Sequence, residues 1–541
     1  MSHRGRGERA LALGLLALVA APLLASAALA LGAALDATAW AAWPAQPGAL
    51  RALGLTLFTG VASTALAWWG CAALLAQAVV RRRLDGLLRT LPPLLATPHA
   101  ALAIGLVFLL APSGWLLRTV SPWLTGFDAP PPWPTTQDPW GLGLIAALVA
   151  KEIPFLLWCA ATQLQRDDAS RRWQAEHTLA CTLGYGPVRA FWRVVWPPLA
   201  QRLRWPLLAV LAYGLTVVDM ALVIGPASPP TLAVLAWQWL QDADPAVQAQ
   251  GAAAGLALAL VVGACAVLVL APRRPRRAVD GRRGPAAIGW RPGAALLLGA
   301  YAAVLAALAV GSVSGVWAFP ALWPQTWTLD AWRAVGASGA TVGTTLWLAA
   351  GSAALALAWS VAWLECAPPR WDAALRPLIY LPLLLPAVLW VVGLYALGLR
   401  LRLEGTAGGL LLAHTLMALP YVLLTLSPAY QGFDPRCAAL CASLGHGRWT
   451  LLWRVKWPLL RRALASAAAV GFAVSVAQYL PTLYLGAGRW SSVTTEAVTL
   501  AAGGQRSLTS AYAALQFALP VLGFALAAAL GRPRRFRPEA A

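Results

Sequence analysis

Apolar stretches of about twenty residues, the length that crosses a bilayer as a helix, recur along this chain from end to end. About twelve fall at roughly 11–33, 54–80, 91–111, 141–163, 205–227, 250–272, 293–315, 341–364, 377–399, 407–429, 464–486 and 511–531. No water reaches the hydrocarbon core to satisfy backbone N–H and C=O groups, so such stretches close their hydrogen bonds internally as helices. The expectation is an all-α polytopic membrane protein. Composition agrees, since only 11% of the 541 residues are charged, against about 25% in soluble domains.

The net charge of +21 sits at alternate loops, a distribution that excludes a nucleic-acid surface. Arginines gather at 4, 6 and 9, at 81–83, at 171 and 172, at 273–277, at 461 and 462, and at 532–535. Twelve spans put all of these on one side, which the positive-inside rule makes the cytoplasm. Both termini are then cytoplasmic. Arg400 and Arg402 are the exception, because they land outside. The N-terminal apolar run exceeds the ~7–15 residues of a signal-peptide core and is read as a span. The seven cysteines form no Cys-x-x-Cys pair and the histidines are scattered, so neither a disulfide framework nor a metal site is indicated.

The chain also repeats itself. Thr178–Leu199 and Ala439–Leu460 align without a gap and share Leu-Gly-x-Gly and Trp-Arg-Val-x-Trp-Pro. Farther out, Thr56, Leu57 and Ser63 match Thr345, Leu346 and Ser352. Pro98 and Gly105 match Pro386 and Gly393, and Pro154-Phe155 matches Pro420-Tyr421. The domain reading is a first repeat over 1–272, an Arg/Pro-rich cytoplasmic linker over 273–292 and a second repeat over 293–541. Each repeat carries about six spans, so the copies share one orientation about an axis along the membrane normal.

The shared segment is polar and lies on the cytoplasmic side, near 170–203 and 434–462. A helix before Gly184 and Gly445 should end in a tight turn, since glycine adopts positive φ cheaply. A second short helix then presents Phe191, Trp192 and Val195 in one copy and Leu452, Trp453 and Lys456 in the other. Pro197 and Pro458 are expected to close it, because proline cannot continue the hydrogen-bond ladder. An ordinary membrane-packing helix explains one such loop; the same glycine-to-proline spacing twice points to a partner with two equivalent sockets.

This loop, between the fourth and fifth spans of each half, resembles the EAA loop of ABC importer permeases, and the whole chain looks like two such subunits fused. The resemblance implies a type I importer-permease fold, about twelve helices in two tandem six-helix repeats, in the bacterial inner membrane. It places Gly184 and Gly445 at the motif glycine, Gly186 and Gly447 beside it, Val194 and Val455 at the aliphatic position, and Pro197 and Pro458 at the closing proline. Thr178 and Ala439 stand where the family has an acid, with Glu176 two residues upstream of the first, and Trp196 and Trp457 replace a leucine. The implied partners are two copies of a cytoplasmic ABC ATPase and a periplasmic substrate-binding protein. Fused permeases of this look resemble those serving thiamine and ferric iron. A P-loop needs Gly-Lys-Ser/Thr, and the only lysines, Lys151 and Lys456, precede Glu152 and Trp457. ATP is therefore expected on the partner, with no cofactor on this chain.

Ionisable groups inside spans default to functional hypotheses. Lys151 and Glu152 lie mid-span where the second half has Met417 and Ala418. Asp219 aligns approximately with Gln478 in the fifth span of each half. These four are candidate pathway-lining residues, set against a local-pairing reading. His99 and His414 read as packing or interface residues, and the tryptophans near span ends as interface anchors. A secondary transporter would want coupling carboxylates and no paired loops. A membrane glycosyltransferase would want a paired-acid site, but the outer loops offer only Asp36, and Asp128 well apart from Asp138.

Overall fold

The computed structural model describes residues 6–165, 167–271 and 292–532. The expected linker and the arginines at 4, 273–277, 534 and 535 lie outside them. The described residues are helical, and their one β contact is an isolated bridge between Ser314 and Trp327. The N-terminal half contains α1 (Arg6–Ala34), α2 (Ala49–Val80), α3 (Leu84–Ala96), α4 (His99–Leu110), α5 (Leu142–Leu164), α6 (Asp167–Thr182), α7 (Arg204–Thr216), α8 (Asp219–Ile224), α9 (Leu232–Trp239) and α10 (Pro245–Leu270). The C-terminal half follows with α11 (Gly293–Ser312), α12 (Gly339–Cys366), α13 (Pro369–Ile379), α14 (Ala387–Arg400), α15 (Ala407–Gln431), α16 (Pro435–Ser443), α17 (Arg461–Ala477), α18 (Leu480–Gly486), α19 (Val493–Ala502) and α20 (Arg506–Leu530).

Among the described residues nine helices are long and apolar enough to cross a bilayer, and two bent pairs raise the number to eleven. The stretches that depart from a single straight span do so for local reasons. Thr97 and Leu385, each before a proline, turn to extended ψ values of 120° and 144°, as the clash with the proline ring requires. The third span therefore starts only at His99, and the ninth is split between α13 and α14. Each expected fifth span is also broken. Val217 and Gln478 leave the helical region with ψ of 133° and 125°. That separates α7 from α8 and α17 from α18, and α7 alone, at ~20 Å, is too short to cross. Both breaks lie the same number of residues beyond the loop glycine, so Gln478 corresponds to Val217. The sequence pairing of Gln478 with Asp219 is two residues out.

The two halves share further detail. Thr56 donates to the Ala52 carbonyl at 2.8 Å and accepts from the Leu232 N–H at 2.8 Å. Thr345 donates to the Thr341 carbonyl at 2.9 Å and accepts from the Val493 N–H at 2.9 Å. In each case a threonine of a long span satisfies the first N–H of the short helix (α9 or α19) that follows the broken one. That orphan donor would otherwise be costly in an apolar setting.

The first helix of each half crosses to the other. α1 packs chiefly along α14, whereas α11 packs along both α20 of its own half and α4 of the other. Val19 and Leu23 of α1 join the core of the C-terminal half, beside Trp390 and Leu394. Tyr301, Val304 and Leu308 of α11 join that of the N-terminal half. Equivalent glycines allow both crossings, as small residues do between membrane helices. A Cβ on Gly105 would lie 2.5 Å from Val304 Cγ1, and one on Gly393 would lie 1.9 Å from the Ser26 carbonyl oxygen. Gly393→Ala should therefore destabilise the protein by roughly 1–3 kcal/mol, the usual cost of overpacking, read as a lower melting temperature in detergent. Gly343→Ala, with nothing within 4 Å of the new methyl, should be neutral or slightly stabilising.

Candidate functional site

The two loops around Gly184 and Gly445 have one backbone design. At the end of α6 the Gly184 N–H bonds the Cys181 carbonyl and the Tyr185 N–H bonds that of Ala180, both at 3.1 Å. At the end of α16 the Gly445 and His446 N–H groups bond the carbonyls of Ala442 and Cys441, both at 3.0 Å. This is a Schellman-type stop, which requires a left-handed residue, and φ is +92° at Gly184 and +73° at Gly445. Gly186 and Gly447 are extended instead, at φ −59° and −75°, and simply open the next helical run.

That run does not end at the prolines. It passes from Pro187–Ala190 through a π-helical turn at Phe191–Val195 into Trp196–Arg202. In the other loop it passes from Arg448–Thr450 through Leu451–Lys456 into Trp457–Leu459. Pro197 and Pro458 stand in the first turn after the π segment, where a missing N–H costs little. The π turn widens the ladder just before each proline, so the expected closure becomes a local bulge, and the chain turns only at Leu203 and Leu460. In the second loop Arg448–Leu459 then meets α17 at 74°.

On the outer face, Leu179 and Leu183 of α6 are 60% and 53% exposed, and their counterparts Leu440 and Leu444 are 62% and 64% exposed. Leucines four apart share one helix face, so each loop displays the same apolar pair in the same register. Thr178 and Ala439 are exposed beside them, and Val194 and Val455 are half-buried. Glu176 bonds Arg172 at 2.8 Å, which holds that guanidinium above its ordinary pKa.

The inner faces differ. Phe191 and Val195 of the first loop are fully buried, and Trp196 packs on Trp68 of α2 with ring centroids 4.8 Å apart. In the second loop Lys456 replaces Val195, and Glu365 of α12 replaces Ala76. Lys456 Nζ lies 2.5 Å from Glu365 Oε1 and 4.0 Å from the centre of the Tyr430 ring. Tyr430 donates to Glu365 at 2.7 Å, Trp457 Nε1 donates to the Tyr430 hydroxyl at 3.1 Å, and Arg448 pairs with both Glu365 and Glu8. One loop is seated on aromatics and the other on an ion network.

Between the halves the polar candidates separate. Lys151 is buried, and its ammonium donates to the carbonyls of Thr97 at 2.6 Å, Leu95 at 3.1 Å and Leu94 at 3.4 Å. It caps the C-terminal end of α3, as a cation there should. Glu152 faces His99 at 3.8 Å, and the His99 ring lies 4.5 Å from that of Tyr213. The Tyr213 hydroxyl donates toward Asp219 Oδ1 at 3.5 Å. Tyr421 of α15 is within electrostatic reach of Glu152 and Tyr213, and Tyr479 of Asp219. Gln478 is buried, with neither side-chain polar atom hydrogen-bonded to protein. The structure thus gathers Glu152 and Asp219 around His99 and three tyrosines, and assigns Lys151 to a cap. His414 is a packing residue, bonded to Ser475 at 2.8 Å and Thr482 at 2.9 Å across the α17–α18 break. The tyrosines escape a sequence reading, because only charge marks a residue in an apolar span. Among the described residues no group of three or more His, Cys, Asp or Glu could hold a metal ion.

No protein-family model matches the chain. The inner membrane ABC transporter permease protein YnjC of Escherichia coli (strain K12) is 37% identical over 529 residues, which cover 96% of this chain and 95% of that protein. The thiamine transport system permease protein ThiP of Salmonella typhimurium is 27% identical over 441 residues, 75% of each chain. The molybdenum transport system permease protein ModB of Mycobacterium tuberculosis is 34% identical over 129 residues, 21% of this chain and 48% of that protein.

Proposed function

This chain belongs to the ABC transporter permeases, and from that premise we propose that it is the complete translocation unit of an ATP-driven importer. Its role is transport rather than catalysis, from a multi-pass position in the bacterial inner membrane. Residues 1–272 and 293–541 serve as two tandem permease repeats of about six spans each, joined by the 273–292 linker, with both termini in the cytoplasm. A periplasmic binding protein delivers a small solute to the outer face. Two copies of a cytoplasmic ATPase dock on the loops around Gly184 and Gly445, and their closure on ATP rocks the halves about the midplane. Thiamine, the solute named in the transport-system permease ThiP that matches three quarters of the chain, is the first solute to test.

The observation that carries this reading is the matched pair of exposed leucines, Leu179 with Leu183 and Leu440 with Leu444, each held by the same left-handed glycine stop. An apolar pair displayed twice in one register fits a two-fold ATPase dimer. Burying one leucine is worth about 1.5–3 kcal/mol, so Leu440→Asp with Leu444→Asp should weaken association with the partner ATPase by more than about tenfold. Co-purification in detergent reads this directly. Undiminished ATPase recovery from that variant, and from its Leu179→Asp, Leu183→Asp counterpart, would remove the loops as docking sites.

A further inference from the structure

We infer that the polar cluster between the two halves is an intramembrane binding site for a small organic cation. This deepens the importer reading and rests on it. The cluster draws on both halves: His99 from α4, Glu152 from α5, Tyr213 and Asp219 from either side of the first break, Tyr421 from α15, and Tyr479 from the second break. Its charges do not cancel. Glu152 faces the His99 imidazole at 3.8 Å, with the Lys151 ammonium also within electrostatic reach. Asp219 makes no direct ion pair among the described residues; its side-chain contact is the Tyr213 hydroxyl at 3.5 Å, with His99 within electrostatic reach. The neighbouring ammonium of Lys151 is turned away onto three carbonyls of another helix end. Two carboxylates at membrane depth that share one ammonium and one imidazole are expensive, and a positively charged guest offsets that cost.

The aromatic groups define the guest further. Tyrosine faces attract desolvated organic cations through the ring quadrupole; Tyr213 touches Asp219, and Tyr421 and Tyr479 lie within electrostatic reach of Glu152 and Asp219. The cluster is also reachable. Tyr421 keeps 40% of its surface accessible and the His99 side chain 31%, although both lie within reach of the buried Glu152. A second, independent observation is Gln478, which sits at the same break as Tyr479. It is 8% exposed, and neither its amide nitrogen nor its oxygen has a hydrogen-bond partner. Buried polar groups are normally satisfied, so a guest with donors and acceptors of its own would complete this site. An oxyanion has no comparable welcome, since the nearby cation is already spent on carbonyls and the remaining charges repel it.

The test uses the full chain alone in nanodiscs, with no ATPase and no binding protein. Failure here therefore leaves the docking proposal standing, and failure of docking leaves this one standing. Thermal unfolding is followed against thiamine, putrescine, molybdate and ferric ion. Thiamine or putrescine, the first an aromatic cation and the second a plain diamine, should raise the melting temperature saturably, whereas molybdate should not. Asp219→Asn and Tyr421→Leu should each weaken the cation effect about tenfold. Tyr421→Phe, which keeps the ring face, should stay within about threefold of wild type, a pattern that loss of packing alone would not produce. Three results would overturn the inference: no saturable effect of either cation up to millimolar concentration, an effect unchanged in Asp219→Asn and Tyr421→Leu, or binding of molybdate or ferric ion with that same variant dependence.

Discussion

A chain carrying Gly184→Val and Gly445→Val together should reach the membrane folded, yet hold its ATPase about a hundredfold more weakly. The argument is one of backbone alone. Both glycines sit at positive φ, +92° and +73°, and a Cβ at either would meet nothing within 4 Å. No steric clash therefore competes as an explanation. Forcing a residue with a side chain into the left-handed region costs roughly 1–2 kcal/mol, and a β-branched one is at the upper end. The loop relieves that strain by abandoning the turn, which swings α6 and α16 relative to the helical runs that follow. About 1.4 kcal/mol is a factor of ten in affinity, so one substitution should cost about tenfold and the pair about a hundredfold. Gly186→Ala with Gly447→Ala is the control: those residues have negative φ and equally open space, and ATPase binding should not change. Quantitative co-purification decides it. If the valine double variant bound ATPase as wild type does, the turn would not be what presents the docking face.

The second large effect is expected from Glu365→Ala. This carboxylate is shared by Lys456, Tyr430 and Arg448, and its side chain and that of Lys456 are each only 14% exposed. Removing one partner of a mostly buried pair leaves the other charge uncompensated, at a cost of about 3 kcal/mol. Thermal unfolding of the purified permease should show that loss, and limited proteolysis should begin at 434–459. The N-terminal half supplies the rescue, because the corresponding positions there are Ala76 and Val195. Glu365→Ala with Lys456→Val copies that apolar solution, and replacing both partners of a buried pair is often near neutral. The double variant should recover most of the lost stability. A double variant as unstable as the single one would mean that Glu365 acts chiefly through Tyr430 or Arg448.

What could be read from the sequence follows the range of the interactions. Apolar length and the glycine-to-proline spacing are local properties, so among the described residues nine of the expected spans are long apolar helices and the loop turns stand where the residues place them, with Gly184 and Gly445 left-handed. The fifth spans were misjudged because hydropathy does not register a change of ψ at Val217 or Gln478. Pro197 and Pro458 were misjudged because a π turn absorbs the missing N–H that would otherwise stop a helix. Lys151 stood out as a charge in a span, but its partners are the carbonyls of Leu94, Leu95 and Thr97, which carry no side-chain signal. The exchange of Ala76 and Val195 for Glu365 and Lys456 was equally hidden, because neither position means anything without the other.

The crossing of α1 onto α14, and of α11 onto α4, bears on how such a molecule can move. α1 belongs to one half by its place in the chain and to the other by the surface it is packed on, and α11 is shared between α20 of its own half and α4 of the other. In the proposed rocking motion α1 would travel with the C-terminal half, like an oar passed across a boat, while α11 would bridge the two. Angular strain then falls on the short tethers after them, residues 35–48 and 313–338. On that proposal the stiffness of those tethers would set how wide the opposite side of the membrane can open.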